Sequence, residues 1–269
     1  SSKGHAFLDR ALYLPKSWID KPERLVAAHV PHDTRFATKP SLATAMIQRA
    51  LAAEVPFAWV AGDSVYGVGD LEMALRRAGK GFVLGVNANH WFHSWRPDVM
   101  WVGEAREIIK TLPEDAWIRC SAGHGTKGER WYDWLYCPMA DLQVSEYSDT
   151  LSGTWTRGLL VRRNPADGDL RYFTTWCPHG TPLETLVQVE GTRWRIEEGF
   201  ETAKNEFGLD HNETRSWHGW HRHVTLVMLA YAMMAAVRSQ ANALALKKRP
   251  MSARRNSSGG RSRKSDASP

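Results

Sequence analysis

Two segments of the chain carry side chains whose types and spacing could do chemistry, and the first contains Asp63. Asp63 follows Gly62 and a short, continuous apolar run at residues 57–61, which predicts a strand covered on both faces. In open α/β sheets, ligands bind at the carboxyl ends of the strands, so this carboxylate could face a ligand while the sheet holds its backbone. An aspartate in this place could also accept hydrogen bonds from its own loop amides, and Asp63 taken alone favours that second interpretation.

The second segment carries one carboxylate between two cations. Four of its side chains are spaced i, i+4, i+7 and i+11: Arg193, Glu197, Phe200 and Lys204. On a helix, these four side chains share one face. An amphipathic surface helix with ion pairs four residues apart would show the same pattern, and each such pair contributes only about 0.3–0.5 kcal/mol. The spacing alone therefore favours a charged surface helix over a binding site.

Helices and strands alternate in the part of the chain that must position Asp63. Apolar spacing and turn residues predict, in order, a helix at 41–53 capped by Ser41, a strand at 57–61, a helix at 70–78 and a strand at 81–86. Alternation of this kind indicates an α/β sheet with parallel strands. One more strand is predicted at residues 4–14, and it ends at Pro15.

Short β-like runs dominate from residue 89 to residue 189, and helical patterns return after them. The runs are at 117–120, 130–136, 158–163 and 170–175, with a turn at 164–168. Helices are predicted at 192–207 and 220–244. The apolar stretch 224–237 is too short to span a bilayer, so it is predicted to be buried. This order predicts a β-rich insertion ahead of the helix that carries Glu197.

Taken together, these segments resemble a known family. The spacing of Arg193, Glu197 and Lys204 resembles the Tyr-Arg-Glu-Lys signature of a large branch of DDE insertion-sequence transposases. The segment WVAGDSVYG resembles the one around the second catalytic aspartate of that group. Other stretches resemble the family in the expected order: HAFLDRALYLPKSW, RFATKPSLA, SAGHGTKGERWYDW and GLDHNETRSWHGWHRHVTLVMLAYA. The resemblance covers nearly the whole chain up to about residue 240.

The resemblance implies an RNase H-like α/β core, incomplete at its N-terminus, with a β-rich insertion before the catalytic helix. Residues 1–88 are then the first part of the core, 89–189 the insertion, 190–246 the C-terminal helices of the core, and 247–269 a disordered basic tail. The implied function is DNA transposition in the cytoplasm, by metal-dependent strand cleavage and transfer at insertion-sequence ends. The expected partners are double-stranded DNA, as transposon ends and target, and a second copy of the chain in a possible homodimer.

Carried over by position, Asp63 is the second and Glu197 the third metal-binding catalytic acid. The implied cofactor is Mg²⁺, with Mn²⁺ as a substitute, because two such ions activate the nucleophile and stabilise the leaving oxygen, and Mg²⁺ prefers carboxylate ligands. Arg193 and Lys204 are the implied contacts to DNA phosphate. Trp131 is a candidate for stacking on a flipped base, which contributes about 1–3 kcal/mol. Most of the 13 tryptophans are expected in the core.

The chain departs from the family pattern at two places. The family's tyrosine, three residues before Arg193, is Glu190 here. The family's first catalytic aspartate lies on a strand upstream of the equivalent of Ser1, and Asp9 aligns with a later strand, so Asp9 is not given that role. The chain is therefore expected to lack the first aspartate and to cut DNA poorly. Two other interpretations stay open: a catalytically inactive DNA-binding transposase remnant, and a metal-dependent nuclease or hydrolase unrelated to transposition.

Charge and composition add weaker expectations. The net charge is +6, and residues 247–269 contain eight basic residues and one acidic residue, so the rest of the chain is close to neutral. That tail could hold nucleic-acid phosphate without sequence preference, or it could be a solvated end with no specific role. Three separated cysteines argue against a disulfide framework and fit a reducing cytosol. No membrane segment is predicted. Three histidines at 218, 221 and 223 lack a standard zinc spacing and are predicted at a helix start.

Overall fold

A mixed sheet of six strands organises the chain in the computed structural model. The structure describes residues 4–67, 69–93, 101–125, 128–139 and 154–248, and the basic tail from residue 249 onward lies outside these ranges. The strands of the large sheet are β1 (Trp59–Gly62), β2 (Gly81–Val86), β5 (Ile118–Gly125), β6 (Gly128–Met139), β7 (Trp155–Arg163) and β8 (Leu170–Pro178). Two short strands, β3 (Trp91–His93) and β4 (Val102–Glu104), form a separate pair.

The order of strands in the large sheet is β1-β2-β8-β7-β6-β5. β1 and β2 are parallel, and the other neighbouring pairs are antiparallel. The predicted mixture of helices and strands, with two parallel strands near Asp63, is confirmed. The four strands predicted between residues 117 and 175 also form. They continue the sheet that β1 and β2 begin, because β8 pairs directly with β2.

Helices flank this sheet. Within the described ranges the α-helices are α1 (Lys16–Ile19), α2 (Pro22–Ala27), α3 (Lys39–Ala52), α4 (Gly69–Arg77), α5 (Ala105–Ile108), α6 (Leu183–Thr192), α7 (Trp194–Phe207) and α8 (Trp217–Lys248). Short 3₁₀ turns lie at Ile109–Thr111 and Glu114–Ala116. The cap of α3 is Thr38, whose hydroxyl accepts a hydrogen bond from the Ser41 amide at 3.2 Å. The predicted cap, Ser41, is therefore the donor and not the cap.

Apolar clusters on both faces of the sheet hold helices against it. On one face, α6 packs onto β2, β6, β7 and β8 through these buried side chains: Val83, Trp134, Leu160, Phe173, Leu186 and Val187. On the other face, α4 packs onto β2 through a second set: Leu71, Leu75, Phe82 and Leu84. Burying one such side chain contributes roughly 1.5–3 kcal/mol. The clusters therefore fix α6, and with it the start of α7, relative to the end of β1.

A close backbone approach fixes the last turn of α6 against β5. A Cβ atom on Gly191 would lie 2.2 Å from the backbone oxygen of Ala122, so a glycine is required at this contact. Arg130 reinforces the approach, because its guanidinium donates to the carbonyl oxygens of Ala122 at 2.6 Å and of Gly191 at 3.0 Å. The neighbours Glu190 and Arg193 are thereby held at one place on the sheet.

Residues 4–15 form neither helix nor strand, so the strand predicted in this segment is wrong. The segment packs between helices instead. Phe7 lies against Phe200 of α7, with ring centroids 5.2 Å apart, and Asp9 forms an ion pair with Arg49 of α3 at 2.8 Å. An extended segment becomes a strand only beside another strand, and in the described residues the neighbours of this segment are helices.

The final helix, α8, is longer and more exposed than predicted. The stretch predicted to be buried carries exposed apolar side chains: Leu226, Leu229, Met233, Met234 and Val237. That prediction is wrong because α8 packs on α7 along the side that carries Val227 and Tyr231, which leaves the opposite side open. Among the described residues, Trp217–Leu244 is long enough to cross a membrane and contains an 18-residue window with a mean hydropathy of 1.3. Helices of protein cores can also meet these criteria.

Candidate functional site

Asp63 lies directly after β1, on the side of the sheet that α6 covers. β1 turns Trp59 and Ala61 toward the α6 cluster, and Asp63 continues that alternation. Its carboxylate is exposed, and its Oδ1 accepts a hydrogen bond from the Val65 amide at 2.9 Å. The backbone here passes so close to β2 that a Cβ atom on Gly85 would lie 2.9 Å from the carbonyl carbon of Asp63. The carboxylate thus accepts a hydrogen bond within its own loop and is also exposed to solvent.

Arg193 lies between the two predicted acids, Asp63 and Glu197. It stands at the junction of α6 and α7, and its guanidinium forms an ion pair with Glu197 at 2.9 Å. Both side chains stay partly exposed, at 25% and 41%. Asp63 and Arg193 together line two cavities of about 410 Å³ each. The structure therefore brings Asp63 to Arg193, and Arg193 to Glu197.

The two remaining predicted residues, Lys204 and Trp131, do not line the cavities beside Asp63. Glu197, Phe200 and Lys204 line a shallow cavity of about 740 Å³ along α7, as expected for side chains that share a helix face. Trp131 is half-exposed on β6. β6 is four strands away from β1 in the sheet order, which corresponds to roughly 19 Å at about 4.8 Å between neighbouring strands. This separation is measured along the sheet, which curls so that α6 contacts both β1 and β5.

Glu190 belongs to the same site, although the sequence marked it only as a departure from the family pattern. Its side chain is 4% exposed, and its Oε1 accepts a hydrogen bond from Arg162 at 3.0 Å. It lines one of the two cavities beside Asp63. Burial raises the pKa of its carboxyl, and the charges of three arginines oppose that shift: Arg162, Arg193 and Arg130. The sequence could have indicated that Glu190 belongs to the site, because Glu190 lies one helical turn before Arg193.

Replacing Glu190 with glutamine is expected to change how stability depends on pH. Burial holds the pKa of Glu190 above its ordinary value of 4.5 in the folded chain. The folded state then keeps a proton that the unfolded state has already lost, so the wild type is progressively destabilised as pH rises through the folded pKa. Glu190→Gln stays neutral throughout. In urea unfolding at about pH 5 and about pH 8, the free energy of unfolding of this variant relative to the wild type should be higher at the higher pH.

The matched control for that experiment is Glu184→Gln, because Glu184 is an exposed glutamate on the same helix. It should follow the wild type at both pH values. If Glu190→Gln instead loses stability relative to the wild type at the higher pH, the ion pair with Arg162 outweighs the burial of the carboxylate.

The described residues do not assemble a complete metal site. The carboxylate oxygens of Asp63 and Glu197 are suitable ligands for Mg²⁺. However, within the part of the chain that the structure describes, no group of three or more His, Cys, Asp or Glu side chains is placed to hold a metal ion. Glu197 is also engaged by Arg193. The donor chemistry therefore fits magnesium, but the arrangement of the donors does not close a site.

The histidines at the start of α8 contact backbone carbonyls. His221 Nδ1 lies 2.9 Å from the carbonyl oxygen of Trp217, and His223 Nε2 lies 3.0 Å from that of Gly208. These ring nitrogens hold the helix start and the end of α7 in place. This agrees with the prediction that the three histidines lie at the start of a helix.

Comparison with known proteins gives a partial match to a family model. No curated protein sequence matches the chain. A family model described as DDE superfamily endonuclease matches residues 1–120, which is less than half of the chain. Asp63 lies within the matched residues, whereas Arg193 and Glu197 lie beyond them. The N-terminal part of the chain, including Asp63, is thus similar to the DDE superfamily endonucleases, and this similarity supports a DDE-type family.

Proposed function

We propose that the chain is a DDE-type transposase, which cuts and joins DNA strands at insertion-sequence ends. The observation that carries the proposal is the place of Asp63. It lies in the part similar to DDE superfamily endonucleases, at the carboxyl end of a parallel strand. Arg193 shares its cavities, so a cation that can bind phosphate lies beside an exposed acid. Strand cleavage needs this combination, because the reacting phosphate carries negative charge.

Each predicted site residue has a role in this proposal, within an RNase H-like core. Asp63 and Glu197 are the residues that would hold Mg²⁺, or Mn²⁺ as a substitute, and the metal would supply activation of the nucleophile. Arg193 and Lys204 bind DNA phosphate, and Trp131 stacks on a base. In the chain without DNA, Arg193 pairs with Glu197. A phosphate that takes over the guanidinium leaves the Glu197 carboxylate free.

The number of acids limits the activity that we propose. A two-metal site uses a carboxylate that bridges both ions, and the family resemblance places that aspartate on a strand outside these residues. Within the described ranges, no third acid joins Asp63 and Glu197 in a metal-binding group. We therefore propose that this chain binds duplex DNA and cuts it poorly by itself. The same observation favours the second candidate function, a catalytically inactive DNA-binding remnant of a transposase.

A strand-cleavage assay tests these two candidates. The substrate is a duplex that carries the DNA bordering the encoding gene, incubated with Mg²⁺ or Mn²⁺. We expect cleavage close to background from these 269 residues. We expect metal-dependent cleavage when the chain is extended upstream, in its own reading frame, by a strand that carries an aspartate.

The other outcomes separate the candidates. Duplex binding without cleavage by either form would favour the inactive remnant. Neither binding nor cleavage by either form would contradict both candidates. Robust cleavage by the chain alone would show that a third acid is already present, and Asp9 and Glu190 would be the first residues to replace.

A further inference from the structure

We infer that the Asp63 cavity contains a phosphate subsite formed by Arg162 and Arg171, which bind the backbone of a DNA strand. The inference rests on the proposed function, because it assigns the phosphate to a nucleic acid bound at this site. Both arginines lie on the β7–β8 hairpin, outside the helix that carries the Arg-Glu-Lys spacing. They therefore add a second group of cations to the one that contains Arg193.

The cavity brings side chains from three parts of the fold to one space. Asp63 comes from the loop after β1, Arg162 and Arg171 come from β7 and β8, and Arg193 comes from the α6–α7 junction. The volume of about 410 Å³ accommodates a phosphate group together with adjoining sugar atoms. Three guanidinium groups thus line a single space that opens beside an exposed acid.

Arg162 and Arg171 are direct partners in the register of β7 and β8. Side chains at directly opposite positions on antiparallel strands have Cβ atoms about 4.5–5.5 Å apart, and like charges at such positions destabilise the pair. An anion bound between the two guanidinium groups removes this repulsion. Glu190 and Asp169 offset part of this repulsion in the free chain, and a bound phosphate would lower it further.

A carboxylate orients each of these arginines and leaves other donors available. Arg162 pairs with Glu190 at 3.0 Å, and its guanidinium lies over the ring of Tyr132, 4.5 Å from the centroid. Arg171 pairs with Asp169 through Nε at 2.9 Å. A guanidinium has five N–H donors in a rigid fork, so one carboxylate contact leaves several donors unoccupied by that contact. The two arginines are thus held in position for a further acceptor.

The charge balance of this cavity favours an anion over a cation. Its lining contains three arginines but two acids, Asp63 and Glu190. Burial also raises the pKa of Glu190, which lowers the negative charge that this residue contributes to the cavity. Phosphate is an anion that guanidinium groups bind through two parallel hydrogen bonds, so its geometry suits the arginines that line this cavity.

Duplex binding measured by fluorescence anisotropy tests the subsite without requiring cleavage. The experiment uses EDTA and a series of salt concentrations. Arg171→Gln is the main variant, because Arg171 is 62% exposed and its loss leaves no buried acid unpaired. We expect about 5- to 10-fold weaker binding and a log–log salt slope that is smaller by about 1. Arg171→Lys should keep the slope and recover only part of the affinity, since it keeps the charge but loses the fork.

The matched control is Arg106→Gln. Arg106 is similarly exposed, at 53%, and pairs with the nearby Glu104, but it does not line the cavity. Its replacement should leave both the affinity and the slope unchanged. Inorganic phosphate, added at constant ionic strength, should raise the melting temperature of the wild type and of this control more than that of Arg171→Gln.

The outcomes separate the subsite from the proposed function. If Arg171→Gln behaves as Arg106→Gln in both assays, the subsite is overturned and the transposase proposal is unaffected. Phosphate could stabilise the wild type more than Arg171→Gln while both forms bind the duplex with equal affinity. The cavity would then bind free phosphate, and the assignment of the phosphate to DNA would be overturned. Weakened duplex binding by Arg171→Gln, with no cleavage by any form of the chain, would support the subsite and contradict a cutting enzyme.

Discussion

Asp63→Asn is expected to lower metal-dependent strand cleavage by roughly 100-fold or more in a form of the protein that cleaves DNA. Asparagine keeps the size of the side chain and can still accept the hydrogen bond from the Val65 amide, but it lacks the charge that would balance a metal ion. Duplex affinity in EDTA should stay the same or rise slightly, because a negative charge is removed from the cavity. Gel-based cleavage assays and anisotropy measure the two effects separately.

The control for this prediction is Asp33→Asn, because Asp33 is an exposed aspartate in a turn outside the site. It should cleave DNA as the wild type does. Equal melting temperatures of the two variants would exclude misfolding as the cause of any loss. Full cleavage by Asp63→Asn would remove Asp63 from the catalytic residues and leave its carboxylate with the loop hydrogen bond as its only role.

Gly191→Ala is expected to lower the free energy of unfolding by about 2–3 kcal/mol. The new Cβ atom would lie 2.2 Å from the backbone oxygen of Ala122, and this oxygen is held by a hydrogen bond from Arg130. α6 must then shift away from β5, which also strains the two hydrogen bonds from Arg130. Glu190 and Arg193 flank this position, so the shift moves the site, and duplex affinity should fall even where the variant is folded.

Gly69→Ala is the matched control for Gly191→Ala. A Cβ atom on Gly69 meets nothing within 4 Å, and alanine in a helix is favoured over glycine by up to about 1 kcal/mol. The control should therefore be as stable as the wild type or more stable in urea unfolding. A Gly191→Ala chain with wild-type stability would mean that α6 packs on β5 more loosely than the structure describes.

Local sequence patterns predicted the elements whose formation depends on their own residues. β2 was predicted at its observed bounds, because a continuous apolar run next to a glycine has few alternatives. The errors lie where a distant partner decides the outcome. Residues 4–15 contain an apolar pattern, but among the residues that the structure describes the segment contacts helices and has no strand beside it. Residues 224–237 are apolar on all sides, and only the packing of α8 on α7 decides which side is covered.

The site was predictable to the extent that it follows from one strand end and one helix. The position of Asp63 after a strand, and the ion pair of Arg193 with Glu197, follow from runs of neighbouring residues. The contributions of Arg162 and Arg171 do not. They depend on the register of a hairpin and on the pairing of β8 with β2, and neither is encoded in a local pattern. Sheet order is decided by tertiary packing, which a single sequence does not display.

The pairing of β2 with β8 has a consequence for the order in which the chain folds. Val86 pairs with Tyr172, 86 positions later, whereas β7 and β8 are joined by a turn of six residues, 164–169. Closing the long connection costs about 2 kcal/mol more chain entropy than closing the short turn. The hairpin is therefore expected to form early and the β1–β2 unit to dock late. Because Asp63 follows β1 and the paired arginines lie on the hairpin, a partly folded intermediate would contain the cations without the acid.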